Sequence, residues 1–173
     1  RGDGSGYWQN KIGFQTGLKY IDVLGISTLD LQLEYNRVRP YTYQHFNLST
    51  NYTHYNQNLG HASGANLSDI HFILRYHPAA SWNFLLTYSS VRQGLDQDGL
   101  NYGGNPLSPD LIRAGDFEQV VGQGLANRVQ QAYLRVSRQL WNADLYAEIE
   151  ARYRQENDLQ SMMIMGGLRW HIQ

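Results

Sequence analysis

The sequence contains no cysteine, only four prolines, and no run of about 18 apolar residues that would form a membrane-spanning helix. Without cysteine the chain has neither disulfides nor thiolate metal ligands, so it is not a small disulfide scaffold. It also lacks an excess of one charge, because 14 Lys and Arg residues stand against 15 Asp and Glu residues and the net charge is −1. No nucleic-acid partner is therefore expected.

Alternation of apolar and polar residues is the main pattern that the sequence does have. Between Lys11 and Tyr20 the even positions are apolar or neutral and the odd positions are polar or small, a period of two that predicts a β-strand. The same pattern returns in six further segments, namely 29–36, 70–76, 82–89, 131–137, 145–154 and 162–172. We expect an all-β fold of about seven antiparallel strands.

The connections between these segments differ in length in a regular way. Short turns near Asp22, Pro78 and Asn142 alternate with long polar segments, residues 37–66 and 90–128. Segments of roughly ten residues suit tilted strands that cross a hydrocarbon layer, and loops that are long on one side only are typical of outer-membrane barrels. Thirteen Tyr, four Trp and five Phe, many of them near strand ends, suit the aromatic girdles of such barrels.

Together these patterns predict an antiparallel transmembrane β-barrel in the bacterial outer membrane, surrounded by outer-membrane lipid. Residues 1–173 are expected to be the C-terminal part of one larger barrel, preceded by further strands, with both long segments as extracellular loops. A soluble β-sandwich or lipocalin-like barrel is the alternative, because its strands also alternate. The charged face opposite an unbroken apolar face between Leu145 and Arg154 argues against that alternative.

Candidate ligand-binding residues gather in the first long loop, which is rich in Tyr, His and Asn. Aromatic rings beside amide and imidazole groups suit carbohydrate recognition, because a ring offers an apolar face and its neighbours offer hydrogen bonds. The candidates for a glycan site are Tyr41, Tyr43, Tyr52, His54, Tyr55 and His61. The alternative is that these side chains pack the loop into the mouth of a barrel.

No cofactor or metal is expected. The loop histidines His45, His54 and His61 lack the close spacing and the partner carboxylates of a metal site. The segment from Gly94 to Asn105 is rich in Asp, Asn and Gly, which suits calcium ligation, but its spacing does not match a complete calcium-binding loop. A solvated turn is the simpler interpretation of that segment.

Two further patterns suggest chemistry that the context does not favour. Glu148 and Glu150 are paired carboxylates of the kind that glycoside hydrolysis uses, but their arginine neighbours favour structural ladders between strands. We therefore expect no enzymatic activity, and a glycan-degrading enzyme is kept as a third hypothesis. Three triplets match the glycosylation acceptor pattern and are expected to be coincidental, those that begin at Asn47, Asn51 and Asn66.

The run Leu33-Glu-Tyr-Asn-Arg-Val-Arg-Pro-Tyr-Thr-Tyr43, the run from Asn51 to Asn66 with its Leu-Gly-His-x-x-Gly element, and Leu74-Arg-Tyr resemble one known family. They resemble the later part of the Wzi-like capsule-assembly outer-membrane barrels, above all the Bacteroidetes branch of RemB-like gliding-motility proteins. The resemblance spans roughly residues 29–105. It implies a monomeric barrel of about eighteen strands with surface loops concerned with polysaccharide attachment or with adhesion and motility. The resemblance leads us to expect that the amino-terminal strands and any plug of a full member lie outside these 173 residues.

The expected function is that of a non-enzymatic outer-membrane surface protein that attaches exopolysaccharide or capsule, or takes part in cell-surface gliding motility. Surface polysaccharide and other outer-membrane proteins are the expected partners. The alternative is a barrel subunit of a multiprotein outer-membrane secretion or nutrient-uptake complex, in which the same loops contact protein. Because members of one fold differ in role, the resemblance does not choose between these functions.

Overall fold

The computed structural model describes residues 5–140 and 145–170, and it is all-β. Two short 3-10 turns, Val23–Gly25 and Leu48–Thr50, lie between strands. The strands are β1 Gly13–Tyr20, β2 Leu29–Val38, β3 Thr53–His54, β4 Gln57–Asn58, β5 Leu67–Tyr76, β6 Trp82–Leu95, β7 Leu125–Leu140, β8 Leu145–Glu156 and β9 Leu159–Trp170. Among the described residues no helix is long and apolar enough to cross a bilayer.

Seven of these strands form one antiparallel sheet in the order β1-β2-β5-β6-β7-β8-β9, and β3 pairs with β4 as a separate small hairpin. Each sheet strand therefore pairs with its neighbours along the chain, which confirms the predicted seven-stranded, all-β arrangement. The strands β6 and β7 are 14 and 16 residues long, longer than the alternating segments predicted. The predicted turn at 141–143 and the last two positions of the predicted final strand lie outside the described residues.

The register of β7, β8 and β9 shows why the alternation specifies this sheet. Leu134 lies opposite Ala151, which lies opposite Ile164, so an apolar row crosses all three strands. The adjacent row is Arg135, Glu150 and Met165. Because side chains directly opposite each other point to the same face, a slip of one residue would exchange the two faces, and the pattern fixes the pairing.

Charged side chains on the polar face pair with each other. Arg169 reaches across to Glu148 at 2.9 Å, which is one of the predicted contacts between strands. Other pairs lie within one strand, Arg152 with Glu150 at 3.0 Å and Arg154 with Glu156 at 2.9 Å. These arginines are about half exposed, so water screens each pair and its contribution to stability is small.

The apolar face of the last strands is open. In this structure Ile149 of β8 is 62% exposed, while Ile164, Leu168 and Trp170 of β9 are 66%, 72% and 72% exposed. A large apolar surface of this kind is uncommon on a protein surrounded by water and marks an interaction surface.

The chain divides into two compact units. The first comprises 1–16, 35–69 and 91–128, and we call it the loop unit because it holds both long segments. The second comprises 17–34, 70–90 and 129–173. The two long segments were predicted as loops, and the structure shows that they fold with residues 5–16 into a packed body.

The interior of the loop unit is mostly polar. Among the described residues, its buried apolar cluster consists of Val38, Ala65 and Leu67, with Tyr43 packed against it. The buried polar side chains outnumber that cluster, and within the described part of the loop unit they are Asn36, Gln44, Asn51, Asn66, Asp69, Asn101, Asp110 and Gln119. Such a core is stable only if each polar group finds a hydrogen-bond partner.

Asn66 shows how this is achieved. Its side-chain nitrogen donates to the carbonyl oxygens of Gly94 and Gln123 at 2.9 and 2.8 Å, and its side-chain oxygen accepts from Gly122 N at 2.7 Å. Its own carbonyl accepts from Gly94 N at 3.0 Å. Asn66 is fully buried with φ of 55°, a left-handed conformation that asparagine tolerates better than most residues. One amide side chain therefore joins three separate backbone segments.

We predict that Asn66→Ala destabilises the loop unit by on the order of 3 kcal/mol, because the buried carbonyl of Gly94 and the partly buried backbone groups of Gly122 and Gln123 lose their partner. The thermal midpoint, followed by near-ultraviolet circular dichroism of the tyrosines, should fall by roughly 6 to 12 °C. Asn56→Ala is the matched control, because Asn56 is exposed and also has a positive φ, 59°. Equal shifts for both variants would contradict the role given to the Asn66 side chain.

Candidate functional site

The β3–β4 hairpin carries the most exposed of the predicted ligand residues. Thr53 pairs with Asn58 and His54 with Gln57, so Tyr55 and Asn56 form a two-residue turn. Their φ values are 47° and 59°, as the favoured turn for a two-residue hairpin requires. Asparagine suits such a position, but a tyrosine there costs about 1 to 2 kcal/mol. The local sequence therefore places an aromatic residue where folding alone would favour Asn or Gly.

Four aromatic and imidazole side chains, Tyr43, Tyr52, His54 and Tyr55, gather at this hairpin, and we call them the hairpin cluster. The rings of Tyr43 and Tyr52 stack with centroids 5.9 Å apart and planes 27° apart. The rings of His54 and Tyr55 meet edge to face at 4.3 Å. Tyr52 is 52% exposed and Tyr55 is 88% exposed, so the outer part of the cluster is open to a ligand.

Backbone hydrogen bonds hold the base of the cluster in place. Tyr52 N donates to Tyr43 O at 3.0 Å, and Leu59 N donates to Tyr52 O at 3.1 Å. The Tyr43 hydroxyl accepts from His61 N at 3.2 Å. The Tyr43 ring lies directly on Gly60, where a Cβ would overlap it. The base of the cluster, Tyr43 and Tyr52, is therefore fixed before any ligand arrives, which lowers the entropic cost of binding.

Tyr41 requires a correction. It was predicted as a glycan contact, but its exposure is 0% and its φ is 63°. Its hydroxyl donates to Asn101 O at 2.7 Å, and its backbone N donates to Gly103 O at 3.0 Å. The ring lies against Gly103, where no side chain would fit. Tyr41 is thus an internal anchor of the loop unit.

His61 also points to the interior. Its Nε2 lies 2.6 Å from Oδ2 of the buried Asp69, and its Nδ1 accepts from Ser63 N at 3.2 Å. Because Nδ1 accepts, the neutral ring carries its proton on Nε2, directed at the carboxylate. Asp69 Oδ1 accepts from Asn36 at 2.8 Å. Both ring nitrogens of His61 are therefore engaged within the loop unit. Sequence spacing gave no sign of Asp69 as its partner.

A second concave surface of the loop unit was not predicted. It is a cleft of about 720 Å³, lined by Trp8, Gln9, Lys11, His45, Phe46, Asp110, Leu111 and Arg113. The Arg113 guanidinium lies 3.9 Å from the centre of the Trp8 ring, and Lys11 Nζ lies 5.0 Å from it. Phe46 is 76% exposed. Sequence reasoning missed this cleft because its residues come from three distant segments, each unremarkable alone.

The remaining motifs have structural roles. Asn51 and Asn66 are buried, so the glycosylation triplets that begin there are internal. In the Asp-rich segment, Asp96 accepts from Tyr102 N at 2.8 Å, which makes an ordinary hydrogen-bonded turn. Glu150 accepts from the Tyr133 hydroxyl at 2.8 Å and pairs with Arg152.

Comparisons with models of protein families, with curated proteins and with solved structures found no match for this chain.

Burial of Tyr41 gives a prediction about pH. Burial raises the pKa of Tyr41 from 10.0 to about 12, because the buried site disfavours the charged phenolate. The raised pKa stabilises the folded state fully below pH 10, and this contribution is lost as the pH rises from 10 to about 12. A shift of this size corresponds to roughly 3 kcal/mol.

The measurement is the absorbance of phenolate near 295 nm, compared between the native chain and Tyr41→Phe. We expect the difference to titrate with a midpoint near pH 12, and we expect the stability of the native chain to fall faster between pH 10 and 12 than that of the variant. A difference with its midpoint at pH 10 would contradict the burial of this hydroxyl.

Proposed function

We propose that this chain belongs to an outer-membrane β-barrel that presents the loop unit at the cell surface, where it holds exopolysaccharide or capsule, or takes part in gliding motility. The observation that carries the proposal is Tyr55, a ring 88% exposed at the tip of a hairpin whose backbone disfavours it. Strain at an exposed site is a mark of function, since folding alone would remove it. In this proposal, Tyr55 contacts the ligand.

The sheet supports the membrane part of the proposal. The apolar side chains Ile164, Leu168 and Trp170 of β9 are largely exposed. Such exposure is unfavourable in water and favourable in lipid. The opposite face carries paired charges, which suit a polar lumen. The sheet edges at β1 and β9 must pair with further strands in a bilayer, because unpaired backbone groups cost several kcal/mol each in lipid. A closed cylinder of more than seven strands meets that requirement.

The hairpin cluster supports glycan binding. Sugar rings combine apolar faces with hydroxyl groups, and the exposed rings of Tyr52 and Tyr55 with the imidazole of His54 offer both kinds of contact. The fixed base of the cluster favours a defined ligand over random adhesion. We propose a binding role without turnover, since Glu148 and Glu150, the paired carboxylates, are engaged with Arg169, Arg152 and Tyr133.

A protein partner is the second candidate, in which the chain is the barrel of a secretion or nutrient-uptake complex. Exposed Tyr is enriched at protein interfaces as well as on glycan sites, so Tyr52 and Tyr55 also suit this function. The two candidates differ in what co-purifies with the native protein.

The membrane part is tested by two neighbouring residues of β9. Ile164 is 66% exposed and Met163 is 52% exposed, and alternation puts them on opposite faces of the sheet. We expect Ile164→Arg to destabilise the barrel in a bilayer by about 2 to 4 kcal/mol, because a charge then faces lipid, while Met163→Arg faces a polar lumen and folds normally. The measurement is heat-dependent gel mobility of the complete protein after refolding in lipid vesicles.

Equal tolerance of both substitutions would contradict a lipid-facing row, since both residues are exposed to a similar degree. A compact monomer that stays in solution without detergent would contradict it as well.

The glycan part is tested with Tyr55→Asn. Asn relieves the backbone strain and removes the ring, so we expect binding of cell-surface polysaccharide to weaken about tenfold while thermal stability stays equal or rises. Tyr52→Ala and His54→Ala should weaken binding as well. Phe117→Ala is the control, because Phe117 is a loop-unit aromatic residue that is 59% exposed and lies outside the cluster. The measurements are polysaccharide binding by the purified protein and capsule retention by cells.

Unchanged retention in the three cluster variants, together with a partner protein that co-purifies in equal amount, would overturn the glycan proposal in favour of the second candidate.

A further inference from the structure

The cleft beside Trp8 has the composition of a binding site for a charged sugar. Its walls combine an exposed ring, Phe46, with the cations Lys11 and Arg113 and one carboxylate, Asp110. Its volume of about 720 Å³ lies within the range of sites for small ligands. The hairpin cluster lies elsewhere in the loop unit and shares no residue with it.

The cations of this cleft are held rigidly. Lys11 Nζ donates to Gln44 O at 2.5 Å and to Asp110 Oδ2 at 3.1 Å, and its side chain is 19% exposed. Lysine has three donors, so one N–H remains for a ligand. The Arg113 guanidinium stacks on Trp8 and is bonded to Asp110 O and to the Asp116 carboxylate. Preorganised donors of this kind bind with little loss of side-chain entropy.

The charge balance of the walls selects the ligand. The lining side chains include two cations and one carboxylate, which is 6% exposed and directed at Lys11. Asp116, the partner of Arg113, does not line the cleft and is 56% exposed. The walls themselves therefore carry one more cation than carboxylate, and the remaining N–H groups of Lys11 and Arg113, each already paired with a carboxylate, offer charge-assisted hydrogen bonds to an entering carboxylate. Phe46 supplies the apolar face on which a sugar ring packs.

We propose that this cleft binds an acidic sugar residue of a surface polysaccharide, with its carboxylate at Lys11 and Arg113 and its ring against Phe46. The inference rests on the proposed glycan-binding function and specifies the class of glycan. The hairpin cluster then contacts sugar rings irrespective of charge, and the cleft selects acidic chains.

The experiment compares two polymers, polygalacturonate as the acidic probe and dextran as the neutral one, with the complete protein in detergent. We expect polygalacturonate to bind at least tenfold more tightly than dextran in 0.1 M salt and to lose most of that advantage in 1 M salt, where the screening length falls to about 3 Å. Lys11→Gln should weaken polygalacturonate binding about tenfold, and Lys11→Arg should restore it. Phe46→Ala should weaken it to a similar extent.

Two matched controls accompany these variants. Lys19→Gln removes an exposed lysine of β1, and Phe117→Ala removes an exposed ring outside the cleft, and both should bind polygalacturonate as the native chain does. The thermal midpoint of each variant verifies folding, and Phe46→Ala, at an exposed position, keeps the test valid should Lys11→Gln fail to fold.

The outcomes separate the inference from the proposed function. Polysaccharide binding that depends on Tyr55 but not on Lys11 or Phe46 overturns the acidic-sugar cleft and leaves the proposed function standing. Equal binding of dextran and polygalacturonate also overturns the cleft assignment. Failure of the native chain to bind any polysaccharide, including that of the cell surface, overturns both.

Discussion

The loop unit depends on the rule that a buried polar group must be hydrogen-bonded, because leaving one without a partner costs about 1 to 3 kcal/mol. A folded segment without long helices or strands makes few regular hydrogen bonds between its own backbone groups. Here buried Asn and Gln side chains fill that gap. Asn51 accepts from His45 N at 2.6 Å and donates to the carbonyl oxygens of Pro106 and Ser108 at 2.8 Å each, much as Asn66 serves its own three segments. The amide network thus replaces the backbone ladder of a sheet.

In the second unit, backbone groups are hydrogen-bonded to backbone groups of neighbouring strands rather than to side chains. There the backbone is satisfied by strand pairing, which extends over twelve residue pairs between β7 and β8 and twelve between β8 and β9. Side chains are then free to differ between faces, and alternation gives one apolar row and one charged row. The same chain therefore contains a unit specified by a repeating pattern and a unit specified by individual side chains.

This difference explains what could be predicted from the sequence. Alternation with a period of two is a local pattern. The seven strands, and the placement of Ile164 and Glu148 on opposite faces of the sheet, therefore follow from the sequence alone. The fold of the loop unit depends on pairs such as His61 with Asp69 and Asn51 with Pro106, which no local pattern reveals. Tyr41 and Tyr55 have the same residue type and the same left-handed backbone, yet one is fully buried and the other is 88% exposed. Composition could identify a tyrosine-rich loop but could not say which tyrosine faces outward.

The rigidity of the loop unit restricts the conformational freedom of its exposed residues. A tyrosine at the tip of a flexible loop would lose conformational freedom on binding, which opposes affinity. Tyr55 lies on a hairpin whose base is tied to Tyr43, and Tyr43 packs against the buried cluster of Val38, Ala65 and Leu67. In the cleft, Arg113 is likewise fixed by Trp8, whose ring meets the buried Tyr41 edge to face at 6.1 Å. The polar core therefore acts as the scaffold that holds both surfaces in position.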